Sequence, residues 1–408
     1  MKVRNKRSNT GNSSRRKTGS SQFQQQLISL FDLIYASKFL LEGSPVWNQP
    51  KITDQGKSTR RFHITQWLIA GLLLGLPLIP LHSHADPAQA LYNQAVQFIQ
   101  QQEYTRAQTA LEEALKLFPQ FAEAHHLLGV VYFNGLHQPD QALQHLKRAI
   151  DLHPHFARAY LDLGIVAQHA GQMHEAEQAL TTVLSMYPSY EDAQFSLALL
   201  YDQTNQPHKA IDAYQRTLAL NPNRSEALFN LATLEEQQGQ FQDARKHLAR
   251  LTQLDPRHAE AWLHLARLEE RANHIDAAIS AYRQAVAHKP DLLDAHYALG
   301  FLYQAKGRTD EAIQAFQHVV QLDPRHAEAH LNLGVLYAQL DRLDNAEQEY
   351  QTALSLNPNL VQGHYNLGVF YEFYRKDTDK ALAHYRKYVE LGGQDQRITN
   401  LLKKTGNR

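Results

Sequence analysis

The chain has 408 residues, 41 Lys and Arg against 41 Asp and Glu, and no cysteine. The missing cysteine excludes disulfides, thiolate zinc sites and cysteine nucleophiles. The zero net charge is a sum of unlike parts, because residues 1–61 carry twelve basic and three acidic side chains and the remainder is acidic. An acidic body argues against nucleic-acid binding by that body.

The first 61 residues are predicted to be basic and largely disordered, since residues 1–21 are mostly Ser, Asn, Gly, Thr and basic residues. Apolar residues then recur at near-helical spacing: Leu27, Leu30, Phe31, Ile34 and Phe39. This pattern indicates either a helix over 24–41 lying on an anionic membrane surface or a leader with no role of its own.

Residues 62–85 are predicted to be a membrane signal-anchor or a signal peptide. Phe62–His84 contains no Asp, Glu, Lys or Arg, and two arginines stand directly before it. One reading is an uncleaved single-pass anchor with the N-terminus cytoplasmic and the body on the periplasmic or outer side. The second is cleavage after Ala85, which leaves a periplasmic or secreted protein. A buried core helix is a third reading.

From residue 88 onward the chain repeats with a period of 34 residues. Prolines mark the period at Pro119, Pro154, Pro188, Pro222, Pro256, Pro290, Pro324 and Pro358. An alanine stands at a fixed distance before each proline: Ala107, Ala142, Ala176, Ala210, Ala244, Ala278, Ala312 and Ala346. A large side chain follows each alanine four residues later: Leu111, Leu146, Leu180, Tyr214, Leu248, Tyr282, Phe316 and Tyr350. Leu-Gly or Leu-Ala pairs precede them.

This alternation of small and large residues predicts two short helices per period. Small residues let two helix backbones approach, and the large residue one turn later fills the gap. The chain must reverse between the helices, at positions occupied by Gly171, Asn205, Gly239, Asn273, Gly307 and Asp341. Gly and Asn, and less readily Asp, accept the left-handed conformation that ends a helix.

The spacing and residue types resemble the tetratricopeptide repeat (TPR) family over about residues 88–394. The resemblance implies an all-α fold, a right-handed α-solenoid of about nine helix-turn-helix repeats within 86–394. Repeats 1 to 9 are expected to start near residues 88, 122, 157, 191, 225, 259, 293, 327 and 361. Repeat 2 has an insertion beside Asn134-Gly135, and repeat 9 has one near Lys376–Asp379. Residues 395–408 are expected to form a capping helix and tail.

The resemblance also implies a concave groove lined by the first helix of each repeat. A first row of lining residues is Tyr92, His126, Leu161, Phe195, Phe229, Leu263, Tyr297, Leu331 and Tyr365. A second row is Val96, Val130, Ile165, Leu199, Thr233, Arg267, Phe301, Val335 and Val369. Such an apolar and aromatic surface suits a peptide or protein ligand. The alternative is that first-row residues pack only against the next repeat.

Asn93, Asn230, Asn332 and Asn366 share one repeat position. They resemble the asparagine ladder of O-GlcNAc transferase, whose amides grip a peptide backbone, although Asn as mere family consensus is an equal reading. An acidic row begins the first helices and suits the helix dipole. Arg158, Arg267 and Arg271 are exceptions able to read a single carboxylate.

His125, His296, His330 and His364 also share a repeat position, about 10 Å apart, which favours packing between helices over metal binding. No nucleophile elbow, phosphate loop or HExxH motif occurs. We therefore expect no enzyme, no cofactor, no metal, no nucleic acid and no small-molecule substrate.

The resemblance implies a scaffold of the membrane-tethered or exported bacterial type that binds protein or peptide partners. Its expected context is assembly of secretion, pilus or exopolysaccharide machinery. The alternative is an accessory subunit of a glycosyltransferase-type enzyme, similar to the repeat half of O-GlcNAc transferase. The predicted partner-binding residues are Tyr92, His126, Phe195, Phe229, Tyr297, Tyr365, Asn230, Asn332, Asn366, Arg267 and Phe301.

Overall fold

The computed structural model describes residues 85–406, which fold into nineteen α-helices with no strand among them. The described chain divides into two compact units at Pro188 and Ser189. The first unit contains three helix pairs: α1 Ala85–Gln100, α2 Tyr104–Leu117, α3 Ala122–Val130, α4 Pro139–Leu152, α5 Ala157–His169 and α6 Met173–Met186. The predicted 24–41 helix and nearly all of the predicted membrane segment 62–85 lie outside the described residues.

The second unit contains six helix pairs and a final single helix. Its first three pairs are α7 Glu191–Gln203, α8 Pro207–Leu220, α9 Ser225–Gln237, α10 Phe241–Leu254, α11 Ala259–Arg271 and α12 Ile275–His288. The remaining helices are α13 Leu293–Ala305, α14 Thr309–Leu322, α15 Ala327–Gln339, α16 Leu343–Leu356, α17 Val361–Phe370, α18 Thr378–Glu390 and α19 Gln396–Gly406. Packing of consecutive helices as pairs confirms the predicted all-α fold of the TPR type.

The recurring alanines lie in the interior, as the alternation of small and large residues predicts. All eight are fully buried. A Cβ atom added to Gly129 would lie 2.8 Å from Leu146, and one added to Gly300 would lie 2.6 Å from the Phe316 ring. The bulky residue of each second helix therefore occupies the space that the small residue of the first helix leaves open.

The predicted left-handed turns are confirmed at all six reversal residues, with φ between 56° at Asn205 and 78° at Gly171. Three further repeats reverse at residues that the sequence pattern does not mark. Gln102, His137 and Lys376 have φ of 60°, 55° and 55°. A non-glycine residue pays a steric cost in this conformation, so helix packing in repeats 1, 2 and 9 must hold the turn.

Both insertions are absorbed as single turns of π-helix. Val131–Gly135 extends α3, and Tyr371–Arg375 extends α17. In the first of these π-turns the Leu136 N–H donates to the carbonyl oxygen of Val131 at 3.1 Å. A π-turn takes up one extra residue without breaking the helix, so the second helix of each repeat keeps its place.

Helix α19 covers the end of the last pair. Ile398 is fully buried, and the Arg397 guanidinium bonds the Glu372 carboxylate at 2.9 Å. Among residues 85–406, every helix is too short or too polar to cross a membrane.

Candidate functional site

First-row residues pack largely against the residue that precedes the next first helix. The ring centroids of Tyr92 and Phe121 are 5.3 Å apart, and those of Phe229 and His258 are 5.0 Å apart. The structure buries Phe195, His126 and Phe229 to 1%, 6% and 8% exposure. Little of these three predicted partner-binding side chains reaches the surface. Their observed contacts lie between repeats.

Tyr92, Tyr297 and Tyr365 remain half-buried in the same row. The Tyr297 ring lies 4.8 Å from His326 and meets Phe301 edge-on at 4.9 Å. Burial raises the pKa of the Tyr297 hydroxyl, Glu328 adds to the rise, and a hydrogen bond with Asn332 opposes it. This hydroxyl is therefore neutral at physiological pH and able to donate or accept a hydrogen bond.

The second row is more accessible than the first. Seven of its nine members are half-buried, and Arg267 and Phe301 are exposed. Phe301 is 43% exposed although Tyr297 and Phe316 support its ring edge-on. An aromatic ring that is held rigidly yet open to solvent can give a partner large contact area at low entropic cost.

The asparagines at the shared position already make hydrogen bonds within the chain, Asn332 with Tyr297 among them. Asn93 accepts from Gln89 at 3.0 Å, and Asn366 accepts from Gln362 at 2.8 Å. Each amide retains its two N–H donors. Asn230 and Asn332 are half-buried.

The three arginines singled out in the sequence all meet groups of this chain. Arg158 donates to Asp162 at 3.2 Å, and Arg267 donates to Asp294 at 3.2 Å. Arg271 stacks its guanidinium 3.9 Å from the centre of the Phe241 ring. Arg158 and Arg267 therefore each contact a carboxylate of this chain. That carboxylate would compete with a carboxylate of a partner.

A buried ion network in the first unit escaped the sequence analysis. His126 Nε2 lies 2.6 Å from Asp162 Oδ2, which also accepts from Arg158. Burial raises the pKa of Asp162, but Arg158 and the hydrogen bond with His126 outweigh it and the net pKa is lowered. Asp162 occupies the asparagine position, so in repeat 3 this position serves an ion network.

A second ion cluster lies in the second unit. Arg224 contacts Glu191 at 2.5 Å and Asp192 at 2.8 Å, and its guanidinium stacks 4.0 Å over Phe195. Its side chain is only 13% exposed. These acidic side chains thus bind a neighbouring repeat in addition to lying at a helix N-terminus, a role that their position alone did not reveal.

The recurring histidines bond the proline linkers as well as packing between helices. His296 Nε2 lies 3.0 Å from the carbonyl oxygen of Pro290, and His364 Nε2 lies 3.0 Å from that of Pro358. Trp262, at the same position, donates to Pro256 at 2.9 Å. A ring N–H at this position therefore satisfies a linker carbonyl. No group of three or more His, Cys, Asp or Glu within 85–406 is arranged to hold a metal ion.

Tetratricopeptide family models match the chain without a gap from residue 95 to residue 361. One matches 195–245, 229–293 and 297–361, a second matches 134–200 and 271–316, and a third matches 95–135. The chain belongs to the tetratricopeptide repeat family. Proteins of this family are generally non-catalytic scaffolds for protein–protein interaction.

Several solved structures are similar to this chain. The C-terminal part of a TPR protein from Cytophaga hutchinsonii is 14% identical, covers 59% of this chain and 99% of its own, and has a TM-score of 0.52. PilF of Pseudomonas aeruginosa is 23% identical, covers 51% and 94%, and scores 0.45. YrrB, described as a TPR protein with an unusual peptide-binding site, is 19% identical, covers 47% and 98%, and scores 0.42. No curated protein sequence matches the chain.

Proposed function

We propose that this protein is a membrane-linked scaffold that binds protein or peptide partners on the first helices of its second unit, through the second-row residues there. The single observation that supports this surface is the exposed Phe301, held edge-on by two aromatic rings. Exposed aromatic residues are enriched where proteins bind one another. Arg267 lies one repeat earlier in the same row and gives the surface a charged side.

Residues 62–85 support the membrane link, because an uncharged apolar run behind two arginines favours an anchor with its N-terminus inside, or an export signal. The acidic body then acts on the outer side, in assembly of an envelope structure such as secretion, pilus or exopolysaccharide machinery. Mass spectrometry of the mature N-terminus after cell fractionation tests this part. Recovery of an intact N-terminus in the soluble cytoplasmic fraction would refute it.

Site-specific photocrosslinking in cells tests the binding surface. Phe301 is replaced by a photoreactive amino acid in one variant, and Leu322 in a matched control. Both residues are 43% exposed and belong to repeat 7, but Leu322 ends the second helix. We expect one partner crosslinked from position 301 and absent from position 322. Equal crosslinking from both positions would refute the assignment of this surface.

A further inference from the structure

Two pairs of histidines face each other at equivalent places in repeats 2 and 9. His125 and His145 bring their Nδ1 atoms to 3.0 Å, and His364 and His384 bring theirs to 3.1 Å. The ring centroids are 5.3 Å apart in both pairs, with planes inclined by 28° and 32°. Because the centroid separation exceeds the nitrogen separation by about two ring radii, the nitrogens point at each other, which is the geometry of an N–H···N hydrogen bond.

The linker carbonyls fix which ring accepts this hydrogen bond. His125 Nε2 lies 3.3 Å from the carbonyl oxygen of Pro119, and His364 Nε2 lies 3.0 Å from that of Pro358. A carbonyl oxygen only accepts, so Nε2 carries the hydrogen and Nδ1 of the neutral ring is bare. The second-helix histidine then donates from its own Nδ1. A single proton can stay in this hydrogen bond, because the neighbouring ring can change tautomer and accept, but protonation of both rings would set two N–H groups against each other.

Few carboxylates lie near the first pair to offset the charge of a protonated ring. Arg148 on α4 faces His125 and lowers its pKa further, after burial as the main cause. Glu112 on α2 is the acidic group felt by His145, but its carboxylate already accepts from the Tyr132 hydroxyl at 3.1 Å. The Tyr132 ring stacks on His145.

The second pair has matching surroundings. The Tyr371 ring stacks on His384, and its hydroxyl donates to Glu347 on α16 at 2.7 Å. Arg375 also binds the Glu347 carboxylate, at 3.0 Å. Burial, followed by the charge of the facing histidine, lowers the pKa of His145 and that of His384 to about 4.

Repeat 8 provides a natural contrast at the same two positions. His330 Nε2 lies 3.2 Å from the Pro324 carbonyl oxygen, but its Nδ1 faces Glu349 at 2.5 Å. His330 thus meets a carboxylate where His125 and His364 meet a second imidazole.

We propose that the two facing histidine pairs make repeats 2 and 9 an acid-sensitive device: between about pH 7 and pH 5, protonation separates α3 from α4 and α17 from α18, while repeat 8 stays closed. Opening returns each second-helix histidine to its ordinary basicity, so protons favour the open form. With partial exposure of the rings taken into account, the opening equilibrium constant should rise about tenfold per pair across this range.

Hydrogen exchange of the full chain, at pH 7.4 and pH 5.0 and corrected for intrinsic rates, tests the proposal. Peptides from 122–152 and 361–390 should gain opening at pH 5.0, and peptides from 327–356 should not. Equal behaviour of repeats 2, 8 and 9 would overturn the proposal. Because the readout is helix opening, failure here would leave partner binding by the second row untouched.

Matched variants separate the histidine pair from general acid effects. His145→Gln keeps a polar side chain but cannot titrate, so repeat 2 should lose its pH response while repeat 9 keeps it. His145→Glu recreates the His–Glu pair of repeat 8, and repeat 2 should then tighten at pH 5.0. A full acid response that persists in the glutamine variant would overturn the assignment to this pair.

Discussion

Replacing Gly300 with alanine should destabilise repeat 7 because its packing partner has no room to withdraw. The new Cβ would lie 2.6 Å from two ring carbons of Phe316, which is fully buried. Tyr297 and Phe301 hold that ring from the side at 5.7 and 5.3 Å. Overpacking of this kind costs about 1–3 kcal/mol, and the better helix propensity of alanine returns about 1 kcal/mol. The expected net loss is about 0–2 kcal/mol.

A double-mutant cycle measured by urea unfolding tests this packing. Phe316→Leu alone should cost about 1–2 kcal/mol through the space it leaves. The double variant recreates the pair Ala232 and Leu248 of repeat 5, both buried, so it should be at least about 1 kcal/mol more stable than the sum of the single changes implies. Strict additivity, at unchanged urea dependence, would refute the claim that the ring occupies the space at Gly300.

Three further predictions concern charge and capping. Ile398→Asp should cost about 2–4 kcal/mol, because it buries an unpaired carboxylate under α19; unchanged hydrogen exchange in the last pair would contradict this. Asp162→Asn should cost about 1–3 kcal/mol at neutral pH by removing the partner of His126 and Arg158. Since the pKa of Asp162 is lowered, its contribution is present above its ordinary pKa and fades as pH falls, so wild type and variant should converge in acid during urea titration. The pKa of His145 falls from 6.5 to about 4, about 3.4 kcal/mol at full weight and about 1–2 kcal/mol after discounting for partial exposure. Its neutral form stabilises the fold above pH 6.5, and that stability is lost as the pH falls to about 4. The urea midpoint of His145→Gln should therefore fall less between neutral and acid pH than that of the wild type.

Contacts within a repeat follow directly from the sequence. The 34-residue period places alanine, bulky residue and reversal residue in one helix pair, and their burial and left-handed turns are as the pattern predicts. Gln102, His137 and Lys376 escaped notice because no residue preference marks them; the surrounding helices impose their turns. The insertions were visible in the sequence, but their form as π-turns depended on how each helix is packed.

Contacts between repeats were harder to foresee. Phe195 occupies a first-row position, and its ring is covered by Arg224, the residue before the next first helix, where other repeats place an aromatic or histidine ring. The His126–Asp162 contact likewise joins two repeats, and it depends on two non-consensus residues lying next to each other on adjacent first helices. The period predicts which positions recur, whereas these contacts depend on which residue occupies a recurring position.

The histidine position shows why that distinction matters for function. Its Nε2 always faces a linker carbonyl when histidine is present, at His125, His296, His330 and His364, so the backbone frame fixes one half of the ring. The other half meets whatever the second helix supplies: a histidine nitrogen in repeats 2 and 9, a stacked histidine ring in repeat 7 and glutamate in repeat 8. The same side chain therefore meets a second imidazole in two repeats and a carboxylate in a third. In a family built on repetition, specific behaviour of this kind must come from the residues that differ between repeats. For the same reason we propose that Arg267 and Phe301 of the second row recognise the partner.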